Sequence, residues 1–400
     1  MARLSGTNLW YRTQVFEPDA RLDYKFVLNG NNWIIDPRNP NKVSGGFGPN
    51  SELRMPQYPS APEIEFYTNI PHGILRDTTF FSVNLGNARN VKIYLPPGYA
   101  GSNMHYPIVL FHDGLEYISL ANANNAIDYL ISEGRIAPII GVFVPPVNRT
   151  DEYAGNLKSN FTAFIVNELL PWVETRYRTK TTPESRAVMG ASNGGNISLW
   201  LGMQHPEVFG NIAAQSSNIE SALSARFQSD PKLNLKLYLD LGTYDIPVLI
   251  PRVRNFIPIL ENNNYYYQYL EFHEGHSWGN WRAHIDNALE MFFPVTTSVI
   301  DRSVKPGIFT LVSNYPNPFH PNTTITYDLF RQARVSISVF NILGQKLRTL
   351  VVGDFSAGEH LATWDGRDAR GQLLPNGIYL FHVQIDHAFV HTGRMILLRK

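Results

Sequence analysis

The stretch GASNGG, residues 190–195, places Ser192 inside a GxSxG pattern. The apolar run SRAVM precedes it and NISLW follows, which predicts a turn from a strand into a helix. Such a turn exposes the serine oxygen, and the backbone N–H of Asn193 can bind an oxyanion at the start of the helix. The small residues around Ser192 allow the chain to turn that tightly. The pattern therefore predicts a nucleophile, although alone it also fits a polar residue in a glycine-rich turn.

A serine nucleophile needs a base, and on such a fold the acid and then the histidine are expected after the serine. In LYLDLGTYDIP, Asp240 lies within a strand candidate and Asp245 lies just past it. We favour Asp245 as the acid, because α/β folds build their sites at the carboxyl edge of the sheet. As an alternative, Asp245 is the N-cap of the next helix, and the two roles are compatible.

Three histidines follow in FHEGHSWGNWRAHI. His276 comes after a glycine beyond the last strand candidate and before a helix, so its imidazole can reach over the sheet edge. His273 is expected within the strand and His284 within the helix. The order Ser192, Asp245, His276 at successive strand ends predicts a catalytic triad in which His276 is the base.

A second oxyanion donor is expected from the turn that ends IVLFHDGLEY, and the N–H of Leu115 is the candidate partner for that of Asn193. The alternative is that His112, Asp113 and Gly114 only form a tight turn. His112 with Asp113 also admits a metal site, but no second ligand pair at helical or hairpin spacing accompanies them. We therefore expect no metal and no cofactor.

These side chains need a scaffold, and residues 78–295 predict one. Apolar strand candidates alternate there with amphipathic segments, which is typical of an α/β domain with a mostly parallel sheet covered on both faces. The strand candidates are NVKIYLPP, YPIVLFHD, APIIGVFVPP, SRAVMGAS, GNIAAQSS, LKLYLDLG and YYYQYLEFHE, and helices are expected near 118–133, 156–177, 193–204, 247–262 and 280–293.

Two further domains flank this one. Residues 1–75 contain short alternating runs, with LDYKFVLNG and NWIIDP predicted to form a hairpin that turns at residues 29–32, and then a passage rich in proline and glycine that marks a domain edge. After a linker at 296–313, residues 314–400 contain only short strand candidates separated by turn signals. They predict a small β-sandwich.

The composition narrows the classes of partner. Lysine plus arginine and aspartate plus glutamate number 34 each, so no net charge favours nucleic acid or an anionic membrane. The absence of cysteine removes disulfides and cysteine nucleophiles. No apolar run reaches the roughly 18 residues that a membrane span needs, and the N-terminus lacks the apolar core of a signal peptide. Small neutral partners fit this composition better.

The motifs IVLFHDGLEY, GASNGG, GTYD and GHSW, in this order, resemble those of the esterase family of α/β-hydrolases. That family includes enterobactin esterases, S-formylglutathione hydrolases, antigen-85-type mycolyltransferases, and the feruloyl and acetylxylan esterases of carbohydrate esterase family 1. The resemblance implies Ser192 as nucleophile, His276 as base, Asp245 as its acid, and Leu115 and Asn193 as oxyanion donors. Ser277 stands where family 1 often has an acidic residue.

The N-terminal run WYRTQVFEPDARLDYKFVLNGNNWIIDPRNP resembles the later part of a glycogen-binding-type immunoglobulin-like module. Because the match begins deep within that pattern, we expect the sequence to be truncated and to lack a signal peptide. Aromatic residues such as Trp10, Tyr24 and Trp33 are candidates for glycan binding, but we favour a structural role in packing against the catalytic domain.

The C-terminal motifs NYPNPF, WDGRD and NGIY resemble the immunoglobulin-like sorting domain of type IX secretion cargo, with His320 where asparagine is usual. The resemblance implies the type IX secretion machinery as a partner. It also implies that the protein is secreted or held on the surface of a Gram-negative bacterium.

Together these features predict a secreted serine esterase, with feruloyl or acetyl esters of xylan in plant cell walls as the leading substrates. Trp278 and Trp281 are candidates to line the acyl or sugar site, although Trp281 also fits a helix core. Residues 146–156 are expected above the site. The alternatives are a siderophore esterase and, from another class, a surface carbohydrate-binding protein with a non-catalytic hydrolase scaffold.

Overall fold

The computed structural model describes most of the chain, namely residues 2–8, 10–295, 309–329, 332–385 and 388–398. The chain forms two compact units. The first comprises residues 1–224, 240–256 and 271–295, and the second comprises residues 225–239, 257–270 and 296–400. Most of the linker predicted at 296–313 lies outside the described residues.

The elements follow in chain order. Strands β1 to β9 are Ala2–Arg3, Trp10–Tyr11, Arg21–Tyr24, Phe26–Leu28, Asn32–Ile34, Lys42–Val43, Asn50–Arg54, Ile74–Ser82 and Asn87–Leu95. Strands β10 to β15 are Ile108–His112, Ile140–Val144, Arg186–Ala191, Asn211–Gln215, Lys236–Tyr244 and Tyr266–Gly275. Strands β16 to β22 are Phe309–Tyr315, Thr323–Leu329, Ala333–Asn341, Lys346–Phe355, Gly358–Trp364, Gly377–Ile385 and Ala388–Leu397.

Helices α1 to α10 are Gly114–Ser119, Ala123–Ser132, Arg149–Ala154, Lys158–Ala163, Leu170–Arg176, Asn193–Gln204, Ser221–Ser229, Leu249–Asn262, Trp278–Arg282 and Ile285–Phe292. A π-helical turn, Phe164–Leu169, joins α4 to α5. Short 3₁₀ helices are Pro62–Ile64, Tyr99–Gly101 and Pro183–Ser185.

An eleven-stranded sheet organises the α/β domain in the order β6, β7, β3, β15, β14, β13, β12, β10, β11, β9, β8. Strand β10 pairs in parallel with β11 and β12, and β12 pairs in parallel with β13. Every residue of β10 to β13 is buried, as expected where helices cover both faces of a parallel sheet. This arrangement confirms the predicted α/β-hydrolase fold with its mostly parallel central sheet.

All seven quoted strand candidates form strands, β9 to β15, but the helix boundaries differ from prediction. The segment expected at 118–133 is two helices, α1 and α2, because Asn122 before α2 adopts a left-handed conformation with φ 52°. The segment expected at 280–293 is also two helices, with His284 between them. His284 was expected inside a helix, and its ring instead pairs with Glu274 at 2.9 Å.

The N-terminal region contributes strands to this same sheet. Strand β3 pairs in parallel with β15, with Arg21 opposite Glu274, and β7 and β6 continue beyond it. The hairpin predicted in this region is confirmed as β4 and β5, which pair Phe26 with Ile34. Positive φ angles at Asn29 and Gly30 form its turn.

The C-terminal strands form a β-sandwich of two sheets, ordered β16, β17, β20 and β19, β18, β21, β22. Side chains from both sheets share one core, which includes the fully buried Trp364 and Ile337. The indole N–H of Trp364 donates to the Arg367 carbonyl at 2.9 Å, so the WDGRD motif closes over its own tryptophan. Within the described ranges, none of the helices has the length and apolar character needed to cross a membrane.

Candidate active site

Ser192 lies at the turn between β12 and α6, as the GxSxG pattern predicted. Its φ of 59° and ψ of −120° are strained for a residue other than glycine, and strain of this kind exposes a side chain at a sharp turn. Gly190 and Gly195 cannot be replaced by a larger residue without a steric clash. A Cβ at Gly190 would lie 2.4 Å from the Gly194 carbonyl carbon, and a Cβ at Gly195 would lie 2.9 Å from the Ser217 side chain.

Asp245 and His276 meet at the carboxyl ends of β14 and β15. Nδ1 of His276 lies 2.7 Å from Oδ1 of Asp245, whose side chain is fully buried while that of His276 is 18% exposed. The same oxygen accepts the N–H of Ile246 at 2.6 Å. The N-cap alternative for Asp245 is wrong, since α8 begins only at Leu249 and the Asp245 carboxylate faces the imidazole.

The competing candidates have other partners. Asp240 is buried within β14 and accepts from the side-chain amide of Gln215 at 2.9 Å. His273 pairs with Asp19 at 2.6 Å, and His284 pairs with Glu274. Of the three histidines, His276 is the one that pairs with the acid favoured from the sequence.

Two tryptophans lie near His276, and Trp281 is the one that contacts its ring. Trp281 meets it edge to face at a centroid distance of 5.0 Å, and Trp278 meets Trp281 in the same way at 5.0 Å. Both are mostly buried, at 6% and 8% exposure. Trp281 therefore supports the imidazole directly and Trp278 supports Trp281, and the contact of either tryptophan with a substrate stays a prediction.

The two predicted oxyanion donors lie in the first turns of two helices. Asn193 is the first residue of α6, and Leu115 is the second residue of α1. N–H groups in a first turn have no carbonyl acceptor inside their own helix, so they can point at a ligand. Asp113, immediately before α1, is left-handed with φ 54°. This conformation turns the chain from β10 into the helix.

Arg149 joins the two segments that carry these donors. Its guanidinium donates to both carboxylate oxygens of Asp113, at 2.7 and 2.8 Å, and to the Ala191 carbonyl at 3.2 Å. Burial raises the pKa of Asp113 above its usual value, and Arg149 opposes that shift. Because Arg149 is 36 positions from Asp113, no local sequence signal could have identified this pair.

Residues 146–156, which were expected above the site, contain helix α3, which carries Arg149. The Asn148 side chain caps this helix by accepting the N–H of Asp151. With only six residues, α3 is too short to give a periodic pattern, so it was not predicted. The hydroxyl of Tyr153, also on α3, accepts the N–H of Asp113 at 2.9 Å.

His112 lies beneath the site and is fully buried. Burial, together with the nearby Arg149 charge, lowers its pKa to about 3, so its ring is neutral at physiological pH. Its neighbours are the rings of Tyr153 and Phe161. Across the part of the chain that the structure describes, no group of three or more histidine and carboxylate side chains is placed to hold a metal ion.

A cleft of about 1210 Å³ opens beside His276. The α/β domain contributes Tyr244, Gly275, His276 and Ser277 to its wall, and N-terminal residues form the rest. Its exposed aromatic residues are Trp10 and Tyr11, at 58% and 51% exposure. Further N-terminal residues on the wall are Arg12, Gln14, Phe16, Leu22, Asp23, Tyr24, Lys25, Phe26, Val27, Leu28 and Leu53.

Two protein families match parts of the chain. The family described as "Putative esterase" matches residues 82–292, which include Ser192, Asp245 and His276. The family described as "FlgD Ig-like domain" matches residues 321–388, within the C-terminal sandwich.

Relatives extend over the same catalytic core. The uncharacterized protein YjcH of Bacillus subtilis is 29% identical over 234 residues, which cover 55% of this chain and 97% of that protein. The endo-1,4-beta-xylanase/feruloyl esterase of Xylanibacter ruminicola is 28% identical over 167 residues, covering 38% of this chain and 23% of that enzyme. The enterobactin esterase FES from Shigella flexneri, crystallised in the presence of enterobactin, has a TM-score of 0.63 at 22% identity and covers 72% of this chain and 82% of its own. At that identity the likeness concerns the fold.

Proposed function

The chain belongs to the putative esterase family, and we propose on that basis that it is a serine carboxylic-ester hydrolase. Ser192 is the nucleophile, His276 the general base and Asp245 the acid that orients it. The observation that carries this proposal is the 2.7 Å contact between His276 and Asp245 at the ends of β15 and β14. It is supported by the strained turn that holds Ser192.

The reaction follows from these positions. Nδ1–H of His276 donates to Asp245, which leaves Nε2 free to accept the proton of Ser192 as Oγ attacks the ester carbonyl carbon. The N–H groups of Leu115 and Asn193 bind the oxyanion that forms. When the C–O bond to the alcohol breaks, His276 returns the proton to the leaving oxygen. Water then attacks the acyl-enzyme, with His276 again as base, and the carboxylic acid leaves.

The cleft indicates where the alcohol lies. His276 must deliver a proton to the leaving oxygen, so the alcohol portion of the ester has to sit on the His276 side of the site. The cleft touches His276 and is large enough for several sugar residues. Its exposed aromatic faces, Trp10 and Tyr11, suit the apolar faces of sugar rings, and Arg12 and Gln14 offer hydrogen-bond donors.

We therefore assign plant cell-wall polysaccharide esters as substrates, namely feruloyl or acetyl groups on xylan. The feruloyl esterase activity named for the Xylanibacter ruminicola relative supports the acyl group, and the cleft supports the polymeric alcohol. The test compares p-nitrophenyl acetate, feruloylated arabinoxylan and acetylated xylan, with wild type, Ser192→Ala and His276→Ala. Hydrolysis that survives Ser192→Ala would refute the serine mechanism, and full activity after His276→Ala would refute the assignment of the base.

The alcohol site has its own test with a matched control. Trp10→Ala is expected to raise KM for feruloylated oligosaccharides about fivefold to tenfold, the loss of roughly 1 kcal/mol of aromatic contact, with KM for methyl ferulate unchanged. Trp33 is another exposed aromatic residue of the same region, at 66% exposure, and it does not line the cleft. Trp33→Ala should behave as wild type. Equal KM changes for both substrates would contradict this placement.

A siderophore trilactone is the second candidate substrate. A sequence match to the iron(III) enterobactin esterase of Escherichia coli, 25% identical over 244 residues, supports it. Hydrolysis of enterobactin with a higher kcat/KM than feruloylated arabinoxylan would replace the cell-wall assignment. Binding to insoluble xylan without hydrolysis of any ester would instead favour a non-catalytic surface protein.

We also propose that residues 314–400 direct export by the type IX machinery to the medium or the cell surface. Support comes from the FlgD Ig-like match at 321–388 and from the sandwich fold. The chain, supplied with an inner-membrane export signal, should reach the medium or surface of a type IX-competent bacterium. Equal export from a strain without that machinery would refute the proposal.

A further inference from the structure

Strand β3 of the N-terminal region lies directly beside β15, the strand that immediately precedes His276. Its residue Arg21 pairs with Glu274 of β15, and β15 ends one residue later, at Gly275. Strand β3 therefore pairs with the end of β15 that leads directly into His276. We name residues 274–277 the histidine segment.

Arg21 is almost completely buried, at 1% exposure, among carboxylates. Its guanidinium lies 2.6 Å from Glu52, 2.8 Å from Asp23 and 3.6 Å from Glu274. Burial disfavours its charge, but these carboxylates outweigh burial and raise the pKa of Arg21 above its usual value. Arg21 is therefore a fixed cation whose position is set from several directions.

The same guanidinium reaches past His276 to the other end of the histidine segment. Nη1 donates to Oγ of Ser277 at 3.3 Å. A Cβ at Gly279 would lie 1.9–2.0 Å from the guanidinium atoms, so the first turn of α9 rests directly on Arg21. One side chain thus contacts the residues on both sides of Gly275 and His276.

Glu274 is anchored independently. Its carboxylate accepts from the Tyr58 hydroxyl at 3.2 Å and pairs with His284 at 2.9 Å. With Glu274 fixed in this way, the remaining freedom of the segment lies at its Ser277 end. Arg21 is the side chain that holds this end, through its hydrogen bond to Ser277.

We infer that β3 is a positioning element for the catalytic histidine and that Arg21 is its positioning residue, acting through Ser277 and the start of α9. This inference rests on the proposed role of His276. Arg21 contacts neither the substrate nor the imidazole. It fixes the backbone from which the imidazole reaches Asp245.

The test uses the full chain with two variants and a control. Arg21→Lys keeps the positive charge but loses the guanidinium that donates to both Glu52 and Ser277. Ser277→Ala removes only the hydroxyl that accepts the hydrogen bond from Arg21. Each is expected to lower kcat by roughly tenfold or more, because a misplacement of about 1 Å can cost a hundredfold, with KM for p-nitrophenyl acetate within twofold. Arg54→Lys is the matched control, since Arg54 pairs with the same Glu52 at 2.8 Å but is 51% exposed. It should keep wild-type kcat.

A second readout separates positioning from stability. The Nδ1–H proton between His276 and Asp245 gives a low-field ¹H NMR resonance, which should broaden or shift in Arg21→Lys and Ser277→Ala but not in Arg54→Lys. A lower melting temperature with unchanged kcat and resonance would overturn the inference. If Arg21→Lys fails to fold, Ser277→Ala decides alone. If Ser192→Ala is inactive while Arg21→Lys and Ser277→Ala are fully active, the inference is refuted. The proposed esterase function would still stand.

Discussion

Arg149 offers the sharpest test of how the oxyanion site is built. Its bonds to Asp113 and to the Ala191 carbonyl hold together the segments that precede Leu115 and Asn193. Arg149→Gln breaks the ion pair without removing either N–H donor. We therefore expect the donors to remain present but to lose their spacing, which matters most when the oxyanion forms.

The magnitude follows from burial and from the chemistry of the site. Loss of one oxyanion donor costs about 10²–10³ in kcat, and displaced donors should cost roughly 10–100-fold. Asp113 is 3% exposed and would lose its counter-charge. Breaking a buried pair costs about 3–5 kcal/mol, and the lower figure applies because the Arg149 side chain is 39% exposed. About 3 kcal/mol lowers Tm by roughly 6–12 °C.

The assay separates the transition state from the ground state. For Arg149→Gln, the inhibition constant of a boronic acid or trifluoromethyl ketone analogue should rise in proportion to the loss of kcat/KM. Substrate affinity, measured in a Ser192→Ala background, should stay within about threefold. The double variant Arg149→Gln/Asp113→Asn should recover most of the lost Tm, because it no longer buries an unpaired carboxylate.

Arg89 supplies the control. It is buried at 4% exposure and makes a bidentate pair with Glu152 of the same helix α3, at 2.9 and 3.2 Å. Arg89→Gln should lower Tm at least as much, without a selective loss of analogue binding. The reasoning is refuted if Arg149→Gln weakens substrate and analogue equally, or if Arg89→Gln reproduces its analogue profile.

Four further outcomes are expected. Asp245→Asn should lower kcat about 10⁴-fold with a near-native Tm, because the imidazole loses its orienting charge; a loss below about tenfold in steady-state kinetics would contradict its role. Gly190→Ala should destabilise by roughly 1–3 kcal/mol in urea titration, since its Cβ would overlap Gly194. Burial, with Asp286 nearby, raises the pKa of Glu63 to about 7, so its stabilising effect is complete below about pH 4.5 and is lost as pH rises through 7. Glu63→Gln should accordingly raise Tm by a few degrees at pH 8 and leave it nearly unchanged at pH 4. Trp364→Ala should cost the C-terminal sandwich about 3–5 kcal/mol, read by near-UV circular dichroism, because the indole is fully buried.

Local patterns in the sequence determined the elements and the order of the candidate chemistry. Continuous apolar runs predicted β10 to β13, because strands buried on both faces cannot alternate with polar residues. The GxSxG turn predicted the conformation around Ser192, since only small neighbours permit so close a return of the chain. Strand order also pointed to Asp245 and His276, because the carboxyl ends of parallel strands meet at one edge.

Tertiary structure decided the contacts between distant residues that no motif in the sequence marks. The pairing of Arg149 with Asp113, and the reach of Arg21 to Ser277 across 256 positions, leave no periodic trace in the sequence. The addition of β3, β7 and β6 to the central sheet is equally hidden, since each strand is only two to five residues long. Strand β3 pairs with the edge of β15, β7 pairs with β3, and β6 pairs with β7. A local pattern encodes turns and burial, whereas ion pairs and strand partners depend on where the folded backbone brings distant residues together.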